Sequence, residues 1–93
     1  MKIAWTPKSI KAFKKIIRKN PQLKNLIEIT LRQLVKDPFH PSLRTHKLQG
    51  NLSETWSCSI NYSYRIIFEF IESPNEPEKA ILLVNLGSHD EVY

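Results

Sequence analysis

An arginine, two histidines and a tyrosine are the residues of this 93-residue chain best suited to catalysis. Arg65 interrupts an apolar strand pattern, His46 lies in a polar segment, and His89 and Tyr93 follow Gly87 in the tail. Cleavage of RNA by its own 2′-hydroxyl needs a base for that hydroxyl, an acid for the leaving 5′ oxygen, and a cation for the charge on the phosphorane. We therefore expect these four side chains to form a catalytic site.

Each residue type fits one of these tasks. Histidine can act as base or acid near neutral pH because its unperturbed pKa is about 6.5. Arginine can bind two phosphate oxygens at once. An aromatic ring such as that of Tyr93 can stack on an unpaired base. The mechanism requires no cofactor, and the single Cys58 and three histidines form no metal-binding spacing.

Every one of these side chains also has a structural explanation, which the sequence leaves open. Arg65 could pair with Glu69 on the same strand face, and His46 could be an ordinary surface residue. His89 could cap a turn, and Tyr93 could simply end the last strand. Two further side chains are expected to be structural: His40 between Phe39 and Pro41, and the apolar-face Cys58. Ser57 and Ser59 have no evident triad, so we expect a binding or backbone-supporting role for them at most.

Two helices are predicted in the first half of the chain. Lys2–Thr6 alternates like a short strand, and Thr6-Pro7 is a helix start, because Thr can accept an early backbone N–H and Pro suits the first helical turn. Apolar residues recur at helical spacing on both sides of Asn20-Pro21, and Asp37-Pro38 ends the second helix. Residues 37–53 are predicted to be a loop.

Three strands are predicted in the second half, at residues 54–60, 64–70 and 80–86, with turns at 61–63 and 73–79. Short turns between successive strands favour an antiparallel meander. The predicted fold class is therefore α+β in a single domain, residues 1–93. It has a short N-terminal strand, an antiparallel helix hairpin and a three-stranded meander, with the helices packed on one face of the sheet.

The two faces of the predicted sheet differ in polarity. The face expected to pack against the helices carries Trp56, Cys58, Ile60, Ile66, Phe68 and Phe70. The opposite face carries Ser57, Ser59, Arg65, Ile67 and Glu69. We expect this second face to be exposed to solvent as a groove, flanked by the 37–53 loop and the C-terminal tail.

Positive charge is concentrated in the N-terminal part of the chain. Residues 1–36 contain ten Lys and Arg against one acid, whereas residues 37–93 contain four bases and eight acids. Such a field favours a polyanion or an acidic protein partner, although a solvated helix face has the same composition. The candidate RNA-binding side chains are Lys14, Lys15, Arg18, Arg44 and Lys47.

The composition is that of a small globular protein, with 41% apolar and 25% charged residues. A lone cysteine makes no internal disulfide. No segment reads as a signal peptide or a membrane span, so we expect a cytoplasmic protein with no membrane partner.

The order and spacing of four motifs resemble the RelE/ParE superfamily of toxins from bacterial type II toxin–antitoxin modules, over essentially the whole chain. The motifs are Thr45-His-Lys-Leu-Gln-Gly50, Trp56-Ser-Cys-Ser-Ile60, Tyr64-Arg-Ile-Ile-Phe68 and Leu86-Gly-Ser-His-Asp-Glu-Val-Tyr93. Within the superfamily the chain is most similar to the RelE/YafQ-like branch of mRNA interferases. The resemblance implies a ribosome-dependent endoribonuclease that cuts mRNA and inhibits translation. Its implied partners are the ribosome, mRNA and a cognate antitoxin.

The resemblance assigns His46 and His89 as acid–base candidates, Arg65 as a phosphate clamp, and Tyr93 as an aromatic that stacks on or orients the mRNA. YafQ-like toxins carry a further histidine and aspartate where this chain has Ser59 and Ser63. RelE uses lysines on the second strand, and none lies between Glu54 and Arg65 here. Two alternatives therefore stay open: a ParE-like toxin that inhibits DNA gyrase by binding, and a catalytically degenerate antitoxin-binding relative.

Overall fold

A computed structural model describes residues 1–50, 54–72, 75 and 77–93 of the chain. Its first three elements are the strand β1 (Lys2–Trp5) and the helices α1 (Pro7–Lys19) and α2 (Leu23–Lys36). A 3₁₀ turn, Pro41–Leu43, precedes the strands β2 (His46–Lys47), β3 (Trp56–Ser59), β4 (Tyr64–Glu72) and β5 (Lys79–Ser88). The short helix α3 (His89–Val92) ends the chain.

Helix α1 begins where its capping residues predict. Thr6 has extended backbone, its hydroxyl accepts the N–H of Ser9 at 3.1 Å, and the Ser9 hydroxyl accepts the N–H of Thr6 at 2.9 Å. This reciprocal capping satisfies two backbone donors that would otherwise lack partners at the helix start. The Thr6 hydroxyl also donates to the Leu83 carbonyl at 2.9 Å, which ties the start of α1 to β5.

The five strands form one sheet in the order β1-β5-β4-β3-β2. Strands β3, β4 and β5 form the predicted antiparallel meander, and β1 lies parallel to β5 at its edge. The α+β fold class is confirmed. The 37–53 loop prediction needs correction, because this segment contains the 3₁₀ turn and β2, which pairs with β3. Parts of two predicted loops, residues 51–53 and residues 73, 74 and 76, lie outside the described residues.

The core lies between the helices and the face of the sheet predicted to be apolar. Ile27 and Leu34 of α2 are fully buried together with Cys58, Phe68 and the other core side chains of the sheet. A bulge where β4 meets β5 shifts the register, so that Leu83 pairs with Phe68 while Asn85 pairs with Ile67. In the described part of the chain, no helix combines the length and apolar character that crossing a membrane would take.

Candidate functional site

The sheet face turned away from α1 and α2 carries the candidate catalytic residues in two neighbouring rows. His46, Ser57, Ile67 and Asn85 are successive cross-strand partners in one row. Ser59, Arg65 and Gly87 form the next row. Directly opposed residues point to the same face, so this surface, which we call the site face, holds both His46 and Arg65. From standard strand geometry, their backbones lie about 10 Å apart across the strands and about 7 Å apart along them.

Helix α3 folds back over part of the site face. A β-carbon added to Gly87 would lie 3.1 Å from Cγ1 of Val92 and 3.2 Å from Cβ of Glu91, so α3 packs directly on the β5 backbone. Ser57 is 0% exposed and Ile67 is 4% exposed. The expectation that this whole face is open to solvent is therefore wrong, because the C-terminal residues shield its centre.

The end of α3 brings Tyr93 to the site face. The hydroxyls of Tyr93 and Ser57 form a short hydrogen bond. The Tyr93 ring packs edge-to-face with the His89 ring, with 4.5 Å between their centroids. Tyr93 is 46% exposed, so its ring keeps a solvent-facing surface while its hydroxyl is fixed. The structure thus links Tyr93, His89 and β3, and Tyr93 is not the end of a strand.

Three polar contacts hold α3 in this position. The His89 N–H donates to the Ser63 carbonyl at 3.0 Å, and the Ser88 N–H donates to Oε1 of Glu91 at 2.9 Å. Oε2 of Glu91 also lies 3.8 Å from Nζ of Lys15 on α1. The hydrogen bond from the Ser88 backbone is the main cause of a lowered pKa for the Glu91 carboxyl. The carboxylate form of Glu91 is therefore the form that stabilises α3.

A backbone carbonyl orients the His46 ring. Its Nδ1 lies 3.1 Å from the carbonyl oxygen of Arg44. A carbonyl only accepts hydrogen bonds, so Nδ1 carries the proton of the neutral ring and Nε2 is left as the proton acceptor. The side chain is exposed, so a ligand can reach this nitrogen.

Arg65 is anchored at the turn between β3 and β4. Its Nη1 donates to the carbonyl oxygens of Asn61 at 2.7 Å, Tyr64 at 3.0 Å and Tyr62 at 3.1 Å. Among the described residues these contacts replace the Glu69 pairing that the sequence left open. They involve Nη1 alone, which leaves the N–H groups of Nη2 and Nε for other acceptors.

The predicted RNA-binding residues are distributed over different parts of the surface. Arg44 caps the 3₁₀ turn and lines a pocket with Arg65. Lys47 pairs with Trp56, so it points to the opposite sheet face from His46, with Nζ 5.9 Å from the Trp56 ring centroid. The three predicted RNA-binding residues on α1 are exposed and lie on the helix side of the sheet: Lys14, Lys15 and Arg18. Of these, Lys15 contacts α3 through its ion pair with Glu91.

Two residues have roles that the sequence interpretation missed or left general. Ser57 has a defined task, since its buried hydroxyl binds that of Tyr93. His40 caps the 3₁₀ turn, where its Nδ1 accepts the Ser42 N–H at 3.2 Å, in line with the structural role predicted for it.

Cys58 is buried in the core, and this burial raises the pKa of its thiol to about 12, so it is not a nucleophile.

The site face thus combines an exposed imidazole, a guanidinium whose Nη2 and Nε lie outside the turn contacts, and an aromatic edge. Within the described residues, no three His, Cys, Asp or Glu side chains are grouped to hold a metal ion. The arrangement suits general acid–base chemistry on a phosphate ester, with charge stabilisation by a guanidinium.

Comparisons with known proteins agree with this fold. A family model described as "Bacterial toxin of type II toxin-antitoxin system, YafQ" matches residues 1–93. No curated protein sequence matches the chain. A YoeB/ParE toxin from Agrobacterium tumefaciens is 21% identical with a TM-score of 0.79, covering 96% of this chain and 99% of that one.

Two further solved structures share the fold. YafQ from E. coli strain BL21(DE3) is 14% identical with a TM-score of 0.76, covering 98% of this chain and 96% of that one. A chain of the YoeB–YefM complex from Staphylococcus aureus is 18% identical with a TM-score of 0.73, covering 96% of this chain and 97% of that one. The resemblance predicted from the four motifs is confirmed by these matches.

Proposed function

Because the chain belongs to the YafQ family of bacterial toxins of type II toxin–antitoxin systems, we propose that it is a ribosome-dependent mRNA endoribonuclease that inhibits translation. The observation that carries the proposal is the sharing of one sheet face by His46 and Arg65, with Tyr93 and His89 at its edge. A base, a phosphate-binding cation and a stacking ring are thereby available to one RNA segment.

The proposed reaction uses the RNA's own 2′-hydroxyl. Nε2 of His46 accepts the proton of the hydroxyl, and the 2′ oxygen attacks the adjacent phosphorus. Arg65 donates to the phosphorane oxygens through Nη2 and Nε, where negative charge accumulates. The bond from phosphorus to the 5′ oxygen breaks, and this oxygen takes a proton from an acid, for which His89 and Tyr93 are the candidates. The products are a 2′,3′-cyclic phosphate and a 5′-hydroxyl end.

Helices α1 and α2 supply a second surface for the same function. Ten of the fourteen Lys and Arg residues lie within residues 1–36, against one acid. This surface is separate from the site face, so it can bind ribosomal RNA while the site face binds mRNA. Lys14 and Arg18 are two of its exposed cations on α1.

The test is primer extension on a reporter mRNA incubated with ribosomes and the purified protein. We expect new 5′ ends inside the reading frame with the wild-type protein and none with His46→Ala or Arg65→Ala. The cut ends should carry a cyclic phosphate and resist a 3′-hydroxyl-dependent ligase. Intact mRNA with the wild-type protein would refute the proposal.

Inhibition of DNA gyrase by a ParE-like toxin is distinguished by a second experiment, expression of the protein in cells. Induced expression would then activate a DNA-damage reporter while mRNA stayed intact, and alanine at His46 or His89 would leave toxicity unchanged. A degenerate relative would give neither effect.

An antitoxin is the proposed protein partner. The structurally similar YoeB was solved in a complex with a second protein, YefM. The basic segment 1–36 suits an acidic partner chain. Co-purification of the chain with the product of an adjacent small gene, with loss of binding at high salt, tests this part of the proposal.

A further inference from the structure

A pocket at the turn between β3 and β4 has features of a nucleotide-binding site. Its volume is about 280 Å³. The polar residues that line it are Ser42, Arg44, Ser59, Asn61, Tyr62 and Arg65. Of these only Arg65 is a predicted catalytic residue, and Tyr62 has no role in the chemistry described above.

The charge of this pocket is uncompensated. Among the described residues, two arginines and no Asp or Glu line the pocket. Nη1 of Arg65 is fixed by three turn carbonyls, so the orientation of this guanidinium is set before any ligand arrives. Two cations that share a pocket without a counter-charge attract an anion, and a preoriented guanidinium favours phosphate because its donors match the phosphate oxygens.

Arg44 reaches this pocket from a costly backbone conformation. Its φ of 51° and ψ of 40° are left-handed, and it is the one such residue other than glycine in the described part of the chain. This conformation is unfavourable for a residue with a β-carbon, and glycine or asparagine is the usual choice at such a cap. The same residue lines the pocket and places its carbonyl against His46. Strain retained at an arginine beside a catalytic base indicates a functional side chain.

Tyr62 supplies an exposed aromatic ring beside the two arginines of the pocket. It is 95% exposed, the highest value among the exposed large hydrophobic residues of the described chain. Its backbone carbonyl is bonded to Arg65, so the base of the side chain is fixed while the ring is free in solvent. An aromatic ring next to a phosphate-binding cation is the arrangement by which proteins hold unpaired nucleotides.

We propose that Tyr62, Arg44 and Arg65 form a subsite for one nucleotide of single-stranded RNA beside the scissile phosphate, with the base stacked on Tyr62 and its phosphate between the two arginines. The inference rests on the proposed nuclease function and extends it by defining where the neighbouring nucleotide binds. His46 lies on the next row of the site face, where it can contact the 2′-hydroxyl of the adjacent nucleotide.

The experiment measures binding of a fluorescent, fully 2′-O-methylated RNA hexamer, which lacks the hydroxyl that cleavage needs. Tyr62→Ala should weaken binding about tenfold and Tyr62→Trp should preserve it, because stacking on an exposed ring contributes roughly 1–3 kcal/mol per base. Arg44→Gly, which suits the left-handed backbone, should weaken binding and lower the slope of log Kd against log salt by about one. Lys79→Ala, which removes one exposed positive charge at the start of β5, outside both the pocket and the basic helices, should bind like wild type.

Equal affinities for Tyr62→Ala and wild type would overturn the subsite, as would a wild-type protein that does not bind the hexamer. A Tyr62→Ala protein that binds RNA normally but loses its protein partner would also overturn it. Because the hexamer cannot be cleaved, these results are independent of primer extension. If only the subsite proposal fails, hexamer binding does not depend on Tyr62 but primer extension still detects mRNA cleavage. If the nuclease proposal fails, primer extension detects no cleavage, whether or not the hexamer binds.

Discussion

The hydroxyl of Ser57 on β3 is hydrogen-bonded to the hydroxyl of Tyr93, the two residues being separated by 36 positions in the sequence. Ser57 is fully buried, whereas Tyr93 keeps almost half of its surface exposed. A buried donor–acceptor pair of this kind fixes the ring edge of Tyr93 over the sheet while the ring face stays accessible. Ser57, for which the sequence predicts a binding or backbone-supporting role at most, is therefore a positioning residue for the C-terminal aromatic.

We predict that Ser57→Ala and Tyr93→Phe each lower the free energy of unfolding by about 0.5–1.5 kcal/mol, the usual net value of one hydrogen bond. The double variant should lose little more than either single variant, because both remove the same bond. Urea unfolding of the four proteins measures this coupling. Fully additive losses would mean that the two hydroxyls do not interact.

His46 should be required for cleavage. Replacement by alanine removes the proposed base, and loss of general base catalysis lowers the cleavage rate roughly 10²–10⁴-fold. Single-turnover cleavage on programmed ribosomes measures the rate. His40→Asn is the matched control, since asparagine preserves the capping acceptor of the 3₁₀ turn, and it should cleave at the wild-type rate. A His46→Ala protein of undiminished rate would exclude His46 as the base.

Gly87→Ala should displace α3 from the sheet. The new methyl group would lie 3.1 Å from Cγ1 of Val92 and 3.2 Å from Cβ of Glu91. We expect a loss of about 1–3 kcal/mol in unfolding free energy, typical of overpacking, together with reduced cleavage because Tyr93 and His89 move with the helix. The double variant Gly87→Ala/Val92→Ala should regain part of both. No recovery would show that α3 does not pack as described.

Cys58 should be unreactive in the folded protein. Burial raises the pKa of its thiol to about 12, so the thiolate fraction at pH 8 is on the order of 10⁻⁴ even before access is considered. Reaction with a disulfide reagent should be slow in buffer and fast in urea. Rapid reaction without denaturant would contradict the buried position of the thiol.

Docking of α3 should weaken in acid. The pKa of Glu91 is lowered below its ordinary value of 4.5, so its contribution to stability is complete above that value and is lost as the pH falls through the folded-state pKa. An NMR titration of its side-chain carboxyl should give a midpoint below 4.5. Glu91→Gln should remove the acid-side change in the signals of α3, whereas Glu72→Gln, an exposed carboxylate of β4, should leave it in place. A midpoint at or above the ordinary value would contradict the bond to Ser88.

Regular elements with strong local signals were predictable from the sequence. The Thr6-Pro7 start of α1 and the alternation in β3 and β4 depend on neighbouring residues, so local reasoning identifies them. Strand β2 was missed because two residues establish no period, and it forms only through pairing with β3.

Helix α3 was missed although a signal existed. Four residues are too few for a helical period, but Ser88-His-Asp-Glu91 has the spacing of a capping box. The candidate site residues were predictable by type, whereas their contacts were not. Arg65 meets turn carbonyls and Ser57 meets Tyr93 only once distant segments have folded together.

The parallel pairing of β1 with β5 determines when the sheet can be completed during synthesis of the chain. Lys2 lies beside Ala80, so the first strand cannot enter the sheet until nearly the whole chain has left the ribosome. Contacts this distant in sequence slow folding, because a long loop must close before they form. Synthesis therefore sets an order in which the basic helices emerge before the site face and its closing helix exist. A binding partner of those helices is therefore able to engage the nascent chain before the site face has formed, and ribosome profiling with a tagged partner would measure that interval.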